Sequence, residues 1–330
     1  MDRRSTVLVA VAVALAGLAV AVGLTVVDDF EPGDAVPTDP CLATAPIIAV
    51  VEEDAEAIGM PHVTVIRPDG TRTVIGDDWV ATRPAFAPDG RRLVVTRAEG
   101  DYESAGPTSE TLWTIGVDGT GAAPVTEGDV YDTAAAWSPD GTTIAFVRST
   151  PRTHRIMTVP ATGGEPVELV PAAGLDPIDA VTWSPDGTRL AFVRSTQGED
   201  GVMTGAALWT VAADGSGATR VADVDRFASR IDWHPDGSQI LVSTVTGTAT
   251  LTLVDLGTGG STVIAHDATY GRWSRRGTQV VHSTRTGVIQ EEGWKLVETG
   301  YVAATLGGSR DIGIADRVGP IDVAVADCAG

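Results

Sequence analysis

The strongest indication of the fold is a short sequence motif that recurs several times along the chain. Residues 180–195 read "AVTWSPDGTRLAFVRS", in which a proline-aspartate-glycine turn separates two runs rich in small, aromatic and β-branched residues. Close copies begin at Ala85, Ala135 and Ile231, and a degraded copy begins at Gly271. A line that returns every roughly 40 to 50 residues predicts a repeat architecture.

The turn and its flanking runs predict a β-hairpin. Proline presets φ at the second turn position, aspartate is tolerated at the third, and glycine takes the left-handed conformation that lets the strands resume with a bulge. Alternating polarity in the runs predicts strands with one face against a neighbouring sheet. We expect the aromatic residue of each copy to pack between sheets. These aromatics are Phe86, Trp137, Trp183, Trp233 and Trp273.

A second line follows each copy and completes a unit of four strands. Residues 111–126, "TLWTIGVDGTGAAPVT", again contain two strand-like runs around a glycine turn, and similar lines begin at Arg155, Ala207 and Thr250. Four-stranded units of this period cannot bury their faces alone, so they predict a β-propeller.

The two ends of the chain are predicted to share one blade. Residues 46–75 read as three strands with no first strand ahead of them, and residues 320–328 match the start of the copy at Pro177. The sequence therefore predicts an all-β fold, a six-bladed β-propeller of four-stranded antiparallel blades whose first blade is completed by the C-terminal strand 320–328. This arrangement removes a free sheet edge.

The two cysteines fall at this same closure. Cys328 aligns with the turn residue Pro185, and Cys41 precedes the next strand by a few residues. A two-cysteine chain in an oxidising compartment favours a disulfide. We expect a Cys41–Cys328 bond, with free, buried thiols as the alternative.

The N-terminal segment has the character of a membrane helix. Residues 6–27 are an uninterrupted apolar run, preceded by Arg3 and Arg4 and followed by acidic residues. About 20 residues suffice to cross a bilayer, and the flanking charges place the amino terminus inside. We expect a transmembrane signal-anchor at 1–27, an acidic, proline-containing tether at 28–40 and the propeller, 41–330, outside the cytoplasm. A signal peptide cleaved after Ala21, giving a secreted protein, is the alternative.

The charge balance excludes some partners. Acidic residues outnumber basic ones by 44 to 23, giving a net charge of −21. Such a surface repels phosphate backbones, so nucleic acid is not an expected partner. The sequence contains neither a calcium-loop motif nor a hydrolase nucleophile elbow, so we expect no metal site, no cofactor and no catalytic residue.

The repeated line resembles the repeats of the TolB-type β-propeller family, which is related to the WD-repeat propellers, over nearly all of the chain after residue 40. The resemblance implies protein–protein contact at the cell envelope. We therefore expect a membrane-anchored, monomeric, non-catalytic module that binds a protein or glycan partner or another ligand. The alternatives are a carbohydrate- or peptide-active lyase or hydrolase with a site at the central channel, and a sensor ectodomain.

The predicted binding site lies in the loops that join one unit to the next, at the mouth of the channel. These loops carry aromatic and charged residues on a rigid scaffold, which is where binding sites are common. Such a mouth suits a basic peptide segment, a sugar or a cation, and solvated structural loops are the alternative. The predicted binding residues are Asp77, Asp78, Trp79, Asp129, Tyr131, Asp132, Asp176, Asp225, Arg226, Phe227, Asp267, Tyr270 and Arg272.

Overall fold

The computed structural model describes most of the chain after the predicted tether. The described residues are 47–53, 61–67, 71–76, 79–100, 106–198, 200–244, 249–273, 277, 279–290, 293–305, 308–311 and 323–326. The predicted anchor and tether, Cys41, Cys328, Asp77 and Asp78 lie outside them. Within these ranges, none of the elements is a helix with the length and apolar character of a membrane span.

The described residues form β-strands that follow one another in groups of four. The first group contains β1 (Ile47–Glu53), β2 (Pro61–Ile66) and β3 (Arg72–Ile75). The second group contains β4 (Val80–Phe86), β5 (Arg92–Glu99), β6 (Ser109–Gly116) and β7 (Ala123–Pro124). The next two contain β8 (Tyr131–Trp137), β9 (Thr143–Thr150), β10 (Thr153–Pro160), β11 (Val167–Val170), β12 (Ile178–Trp183), β13 (Arg189–Gln197), β14 (Met203–Ala212) and β15 (Thr219–Val224). The remaining strands are β16 (Ala228–Trp233), β17 (Gln239–Thr244), β18 (Thr250–Asp255), β19 (Ser261–His266), β20 (Ala268–Trp273), β21 (Gln279–Gln290), β22 (Gly293–Thr305), β23 (Gly308–Asp311) and β24 (Val323–Ala326).

Neighbouring strands within each group pair in antiparallel fashion, and the last strand joins the first group. The first sheet has the order β24-β1-β2-β3, with Ile47 opposite Ala326. A single parallel contact between Glu110 and Tyr131 links the second and third groups into one eight-stranded sheet. The other three groups are separate four-stranded sheets.

The hydrogen bonds of the repeated turn explain why serine, aspartate and glycine stand at their positions in it. Gly187 has a φ of +69°, and its N–H donates to Ser184 O at 2.9 Å, which closes the turn. The Asp186 carboxylate accepts hydrogen bonds from the Ser184 hydroxyl at 2.6 Å and from the backbone N–H of Thr188 at 3.0 Å. The Ser184 hydroxyl in turn accepts from Arg189 N at 2.9 Å. The predicted left-handed glycine is confirmed, and the aspartate also ties the turn together.

The core lies between successive sheets, because central strands such as β5, β9, β13 and β17 are buried on both faces. Phe146 and Phe192 are fully buried. Trp137 packs with residues of the preceding group, and its indole N–H donates to Ala85 O at 3.1 Å. The Trp233 side chain is buried among residues of β12 to β18. Aromatic packing between sheets, as predicted from the repeat, is therefore observed at both tryptophans.

One strand of each group, here called the inner strand, faces the inner strands of its neighbours. The inner strands are β4, β8, β12, β16, β20 and β24, and they contact one another in that order, with β24 also in contact with β4. The chain thus has an all-β, propeller-like fold in which four-stranded antiparallel sheets surround a common centre.

Candidate functional site

Five of the inner strands carry β-bulges. In β4 the pairing with β5 shifts between Thr82 and Ala85, across two residues, and similar shifts across two residues occur in β8 and β20, whereas the shifts in β12 and β16 involve one residue. A bulge inserts an extra residue, bends the strand and redirects side chains. Residues in these bulges or directly beside them, from all five strands, contribute to the wall at the common centre.

Three of these bulges hold a residue other than glycine in the left-handed region. The φ angles are 51° at Arg83, 52° at Ala134 and 53° at Tyr270. This conformation costs an L-residue about 1–2 kcal/mol, so the surrounding sheet must enforce it. The backbone at the centre of the ring is therefore strained at positions that place side chains on the channel wall.

A small cavity of about 30 Å³ lies where the inner strands converge. It is called the arginine cavity here, because three arginines from three different inner strands line it. The remaining lining residues are small or apolar. The lining residues are Arg83, Pro84, Ala134, Ala135, Ala180, Val181, Arg230, Ile231 and Arg272.

A larger cavity of about 210 Å³ adjoins the arginine cavity and shares Ala135, Val181 and Arg272 with it. It is called the aromatic cavity here, because three aromatic side chains of the repeat contribute to its wall. Its other lining residues are Ala85, Phe86, Pro88, Ala136, Trp137, Thr182, Asp232 and Trp273. The two cavities adjoin each other at the centre of the ring, and the space that they form is called the channel here.

Arg272 and Arg230 are held by contacts with their own or neighbouring inner strands. Arg272 donates from Nη1 to Ile231 O at 3.0 Å and lies 3.7 Å from Asp232 Oδ1. Arg230 donates to Ser229 O at 2.9 Å, and its guanidinium lies 5.9 Å from the centre of the Tyr270 ring. These contacts orient the guanidinium groups at the channel.

Three carboxyl groups lie near the arginines, and burial raises the pKa of each. Burial raises the pKa of Asp232 against the opposing effect of Arg272, and Asp232 Oδ2 also accepts Trp273 N at 2.6 Å. Burial likewise raises the pKa values of Glu110 and Asp179, although the charge of Arg83 opposes both shifts. Among the described residues, Asp232 is the one acidic side chain that lines either cavity.

Several of the predicted binding residues have structural contacts. Asp132 is fully buried and accepts two hydrogen bonds of 2.7 Å from Arg148. Tyr131 donates from its hydroxyl to Pro107 O at 3.2 Å, and Asp176 accepts from Gln197 N at 3.3 Å. The half-buried Trp79 ring lies 6.1 Å from the Trp113 ring, with the Arg97 guanidinium close to both.

Other predicted binding residues are exposed on separate loops. Asp129 and Asp267 are exposed, and Asp267 has a φ of 53°. Asp225 accepts a hydrogen bond from Phe227 N at 2.8 Å, which closes a tight turn, and Arg226 lies 4.8 Å from the Phe227 ring centre. Phe227 is 39% exposed. This turn is the one exposed aromatic and charged group among the described members of the predicted set.

Arg272 and Tyr270 are the predicted residues that lie with the channel arginines, whereas Arg83 and Arg230 did not emerge from the sequence. Each of these two stands three positions before the repeat aromatic of its unit. Tyr270 occupies the same repeat position. An alignment of the units at that position, together with the bulge, is the signal that identifies them.

A serine, histidine and aspartate cluster lies beside the channel. The Ser149 hydroxyl is 2.9 Å from His154 Nδ1 across the β9–β10 hairpin, and burial lowers the pKa of His154 although Asp179 opposes the shift. Asp179 accepts a 2.5 Å hydrogen bond from the Ser195 hydroxyl. Within the described parts of the chain, no three His, Cys, Asp or Glu side chains are grouped so that they could hold a metal ion.

Solved structures of TolB proteins are similar to this fold. TolB from Acinetobacter baumannii is 15% identical with a TM-score of 0.66, and the similarity covers 85% of this chain and 66% of that chain. A putative TolB from Agrobacterium tumefaciens is 17% identical with a TM-score of 0.54, covering 81% of this chain and 88% of that one. Both similarities therefore describe the fold.

Sequence comparison gives a short match and a long one. The Bacillus subtilis protein named uncharacterized peptidase YuxL is 34% identical over 80 residues, which are 23% of this chain and 12% of that protein. The chain thus spans a small part of that curated relative. The lipoprotein LpqB β-propeller domain family matches residues 63–304, which contain all five copies of the repeated line. This TolB-like β-propeller belongs to the family of the lipoprotein LpqB β-propeller domain.

Proposed function

We propose that the chain is a membrane-anchored, extracytoplasmic β-propeller that acts as a non-catalytic binding module at the cell envelope. The apolar segment 6–27 supports the anchor, and the lipoprotein in the family's description supports an envelope location. The proposed protein has six blades, with the first completed by residues 320–328 and tied by the Cys41–Cys328 disulfide. The cyclic contacts of the inner strands and the β24–β1 pairing support this closure.

The observation that carries the binding role is the pair of cavities at the centre of the ring. Arginine donates hydrogen bonds in a fixed planar geometry, and aromatic rings supply apolar contact area. An arginine side chain and aromatic rings both line the 210 Å³ cavity, so this cavity can bind a ligand or an inserted segment of a partner. The exposed Asp225, Arg226 and Phe227 turn lies on a loop between units, and it is the proposed outer contact for a protein or glycan partner.

The binding role is testable by photo-crosslinking in the native cells. A photo-reactive phenylalanine analogue replaces Phe227 in the full chain, and the same analogue replaces Thr188 in a repeated turn as the matched control. We expect an adduct with an envelope component from position 227 and a much weaker one from position 188. Equal adducts, or none from position 227, contradict the proposed contact.

The envelope location has a separate test. Protease added to intact spheroplasts should digest the propeller of the full chain, whereas a cytoplasmic control protein in the same cells stays intact. A propeller that is protected until the membrane is lysed contradicts an extracytoplasmic location.

A lyase or hydrolase is a second candidate, favoured by the Ser149, His154 and Asp179 cluster. A neutral histidine beside a serine hydroxyl can act as a general base. If the cluster is catalytic, the full chain hydrolyses p-nitrophenyl acetate above the rate in buffer, and His154→Ala removes that excess. An excess that survives in the His154→Ala variant, or no excess at all, counts against this candidate.

A further inference from the structure

We propose that the arginine cavity is a binding site for the acidic group of a small organic anion, a carboxylate or a phosphate, whose body occupies the aromatic cavity. The inference rests on the proposed binding function and specifies the ligand class. It differs from the basic or cationic ligand that the acidic residues of the loops suggest, because the charged side chains that line the arginine cavity are all basic.

The sign of the charge at the cavity is the first argument. The chain carries a net charge of −21, yet three arginines line one cavity of about 30 Å³. Positive charges that face a common space repel one another, and an anion between them replaces this repulsion by attraction. The charged side chains that line this cavity are therefore all basic, although the chain as a whole is acidic.

The geometry of the arginines is the second argument. Arg83, Arg230 and Arg272 come from three different inner strands, so they approach the cavity from different directions. A guanidinium carries five N–H donors, so an arginine that already contacts a carbonyl or carboxylate can donate to a ligand as well. Carboxylate and phosphate oxygens match this fork of donors.

The backbone at the cavity is the third argument. Arg83 and Ala134 both have φ near +50°, at bulges that re-aim the inner strands toward the centre. Strained backbone of this kind is concentrated at ligand sites. The strain has a use here, since it brings the Arg83 side chain onto the wall of the channel.

None of the neighbouring carboxyl groups described above lines the arginine cavity. Asp232 contacts Arg272, and Glu110 and Asp179 interact with Arg83. Glu110 and Asp179 do not line the cavity, and Asp232 lines the aromatic cavity and not the arginine cavity. An anion between the arginines therefore meets guanidinium groups first.

The adjoining aromatic cavity indicates that the ligand has a body as well as an acidic group. Phe86, Trp137 and Trp273 contribute to its wall, and Arg272 lies in the wall of both cavities. A ligand whose acidic group contacts Arg272 can therefore extend from one cavity into the other. N-acetylphenylalanine and phenyl phosphate are suitable probes, because each joins an anionic group to an aromatic ring.

The test is a calorimetric titration of the full chain, purified in a neutral detergent, with these two probes. N-Acetylphenylalaninamide, which lacks the charge, is the matched neutral ligand. We expect at least one anionic probe to bind about tenfold or more tightly than the amide. Preference for N-acetylphenylalanine identifies a carboxylate site, and preference for phenyl phosphate identifies a phosphate site. No binding by either anion, or equal binding of the amide, overturns the inference.

Variants at the cavity locate the binding. Arg83→Gln and Arg230→Gln should each weaken binding of the preferred probe by about tenfold or more, as expected for loss of a hydrogen bond from a charged group. Arg155→Gln, at an exposed arginine of β10, should leave the affinity within about twofold. Unchanged binding in both cavity variants overturns the assignment to this cavity.

A second pair of variants guards against loss of folding. Asp and Asn both tolerate the left-handed backbone of Ala134 better than most residues. Ala134→Asp places a carboxylate at the cavity and should abolish binding of the anion, while the near-isosteric Ala134→Asn should keep it within a few-fold. Equal binding by the two folded variants overturns the inference. The crosslink from position 227 is measured in parallel, so an anion inference that fails while the crosslink persists leaves the envelope-binding function standing.

Discussion

The contact between Asp132 and Arg148 allows a test of whether Asp132 is a binding residue or a structural one. Its carboxylate is fully buried and receives two 2.7 Å hydrogen bonds from Arg148, whose own side chain is 24% exposed. The guanidinium also lies 5.5 Å from the centre of the Phe146 ring. Arg148→Met keeps the apolar length of the side chain and removes the charge. We expect the buried carboxylate, deprived of its partner, to destabilise the propeller.

The magnitude follows from the burial of the pair. Breaking a buried ion pair by removing one partner costs about 3–5 kcal/mol, and the partial exposure of Arg148 places the expected loss near the lower end, about 3 kcal/mol. For a domain of this size that loss corresponds to a Tm decrease of about 5 °C. The matched control is Arg155→Met on the neighbouring strand β10. Arg155 and Glu168 are 3.1 Å apart but 44% and 40% exposed, so its loss should cost about 0–1 kcal/mol.

The assay is urea denaturation of the full chain, followed by tryptophan fluorescence, with thermal melting as a second readout. Asp132→Ala and the double variant complete a double-mutant cycle. The double variant should be less destabilised than the sum of the single ones, by about 2 kcal/mol, because no buried charge is left unpaired. If Arg148→Met costs no more than Arg155→Met, the structural role of Asp132 is refuted, and a binding role at the channel mouth becomes the better explanation.

Three further perturbations test the blade packing, the repeated turn and the closure of the ring. A Cβ on Gly271 would lie 2.8 Å from buried leucine methyl groups of β17 and β18, so Gly271→Ala should lower the stability by about 1–3 kcal/mol. A Cβ on Gly205 meets nothing within 4 Å, so Gly205→Ala is the control in thermal melting. Equal melting temperatures of the two variants contradict this packing. Hydrogen bonds from Ser184 and Thr188 lower the pKa of Asp186 from 3.8 to about 2, so the stability that its charge contributes is present above pH 4 and is lost as the pH falls toward 2. The stability difference between wild type and Asp186→Asn should therefore shrink over that range in acid titrations, and a constant difference argues against the charge. Mass mapping of the exported protein without reduction should recover Cys41 and Cys328 in one linked peptide pair, and alkylation of both thiols before reduction excludes the bond.

The sequence does not show which linker residues are buried or which side chains line the channel. Asp132 and Asp225 are alike in the sequence, since both stand in a linker between units, yet one is buried against Arg148 and the other closes an exposed turn. Burial depends on which strand passes over a residue, and no local pattern records that. Arg83 and Arg230 share one repeat position, but they are 147 positions apart by their numbering, and only the folded ring shows that they line one cavity.

Features that depend on contacts a few residues apart follow from the amino-acid sequence alone. The serine, proline, aspartate and glycine of the repeated turn specify its backbone through φ preferences and short hydrogen bonds, and the regular return of that turn predicted four-stranded units and a propeller. Which side chains meet at the centre depends on the tertiary fold. The inner strands converge there from distant parts of the chain and bring Arg83, Arg230 and Arg272 to one cavity. The charge of the channel is therefore a property of the closed ring, because it arises from the convergence of strands that no single repeat contains.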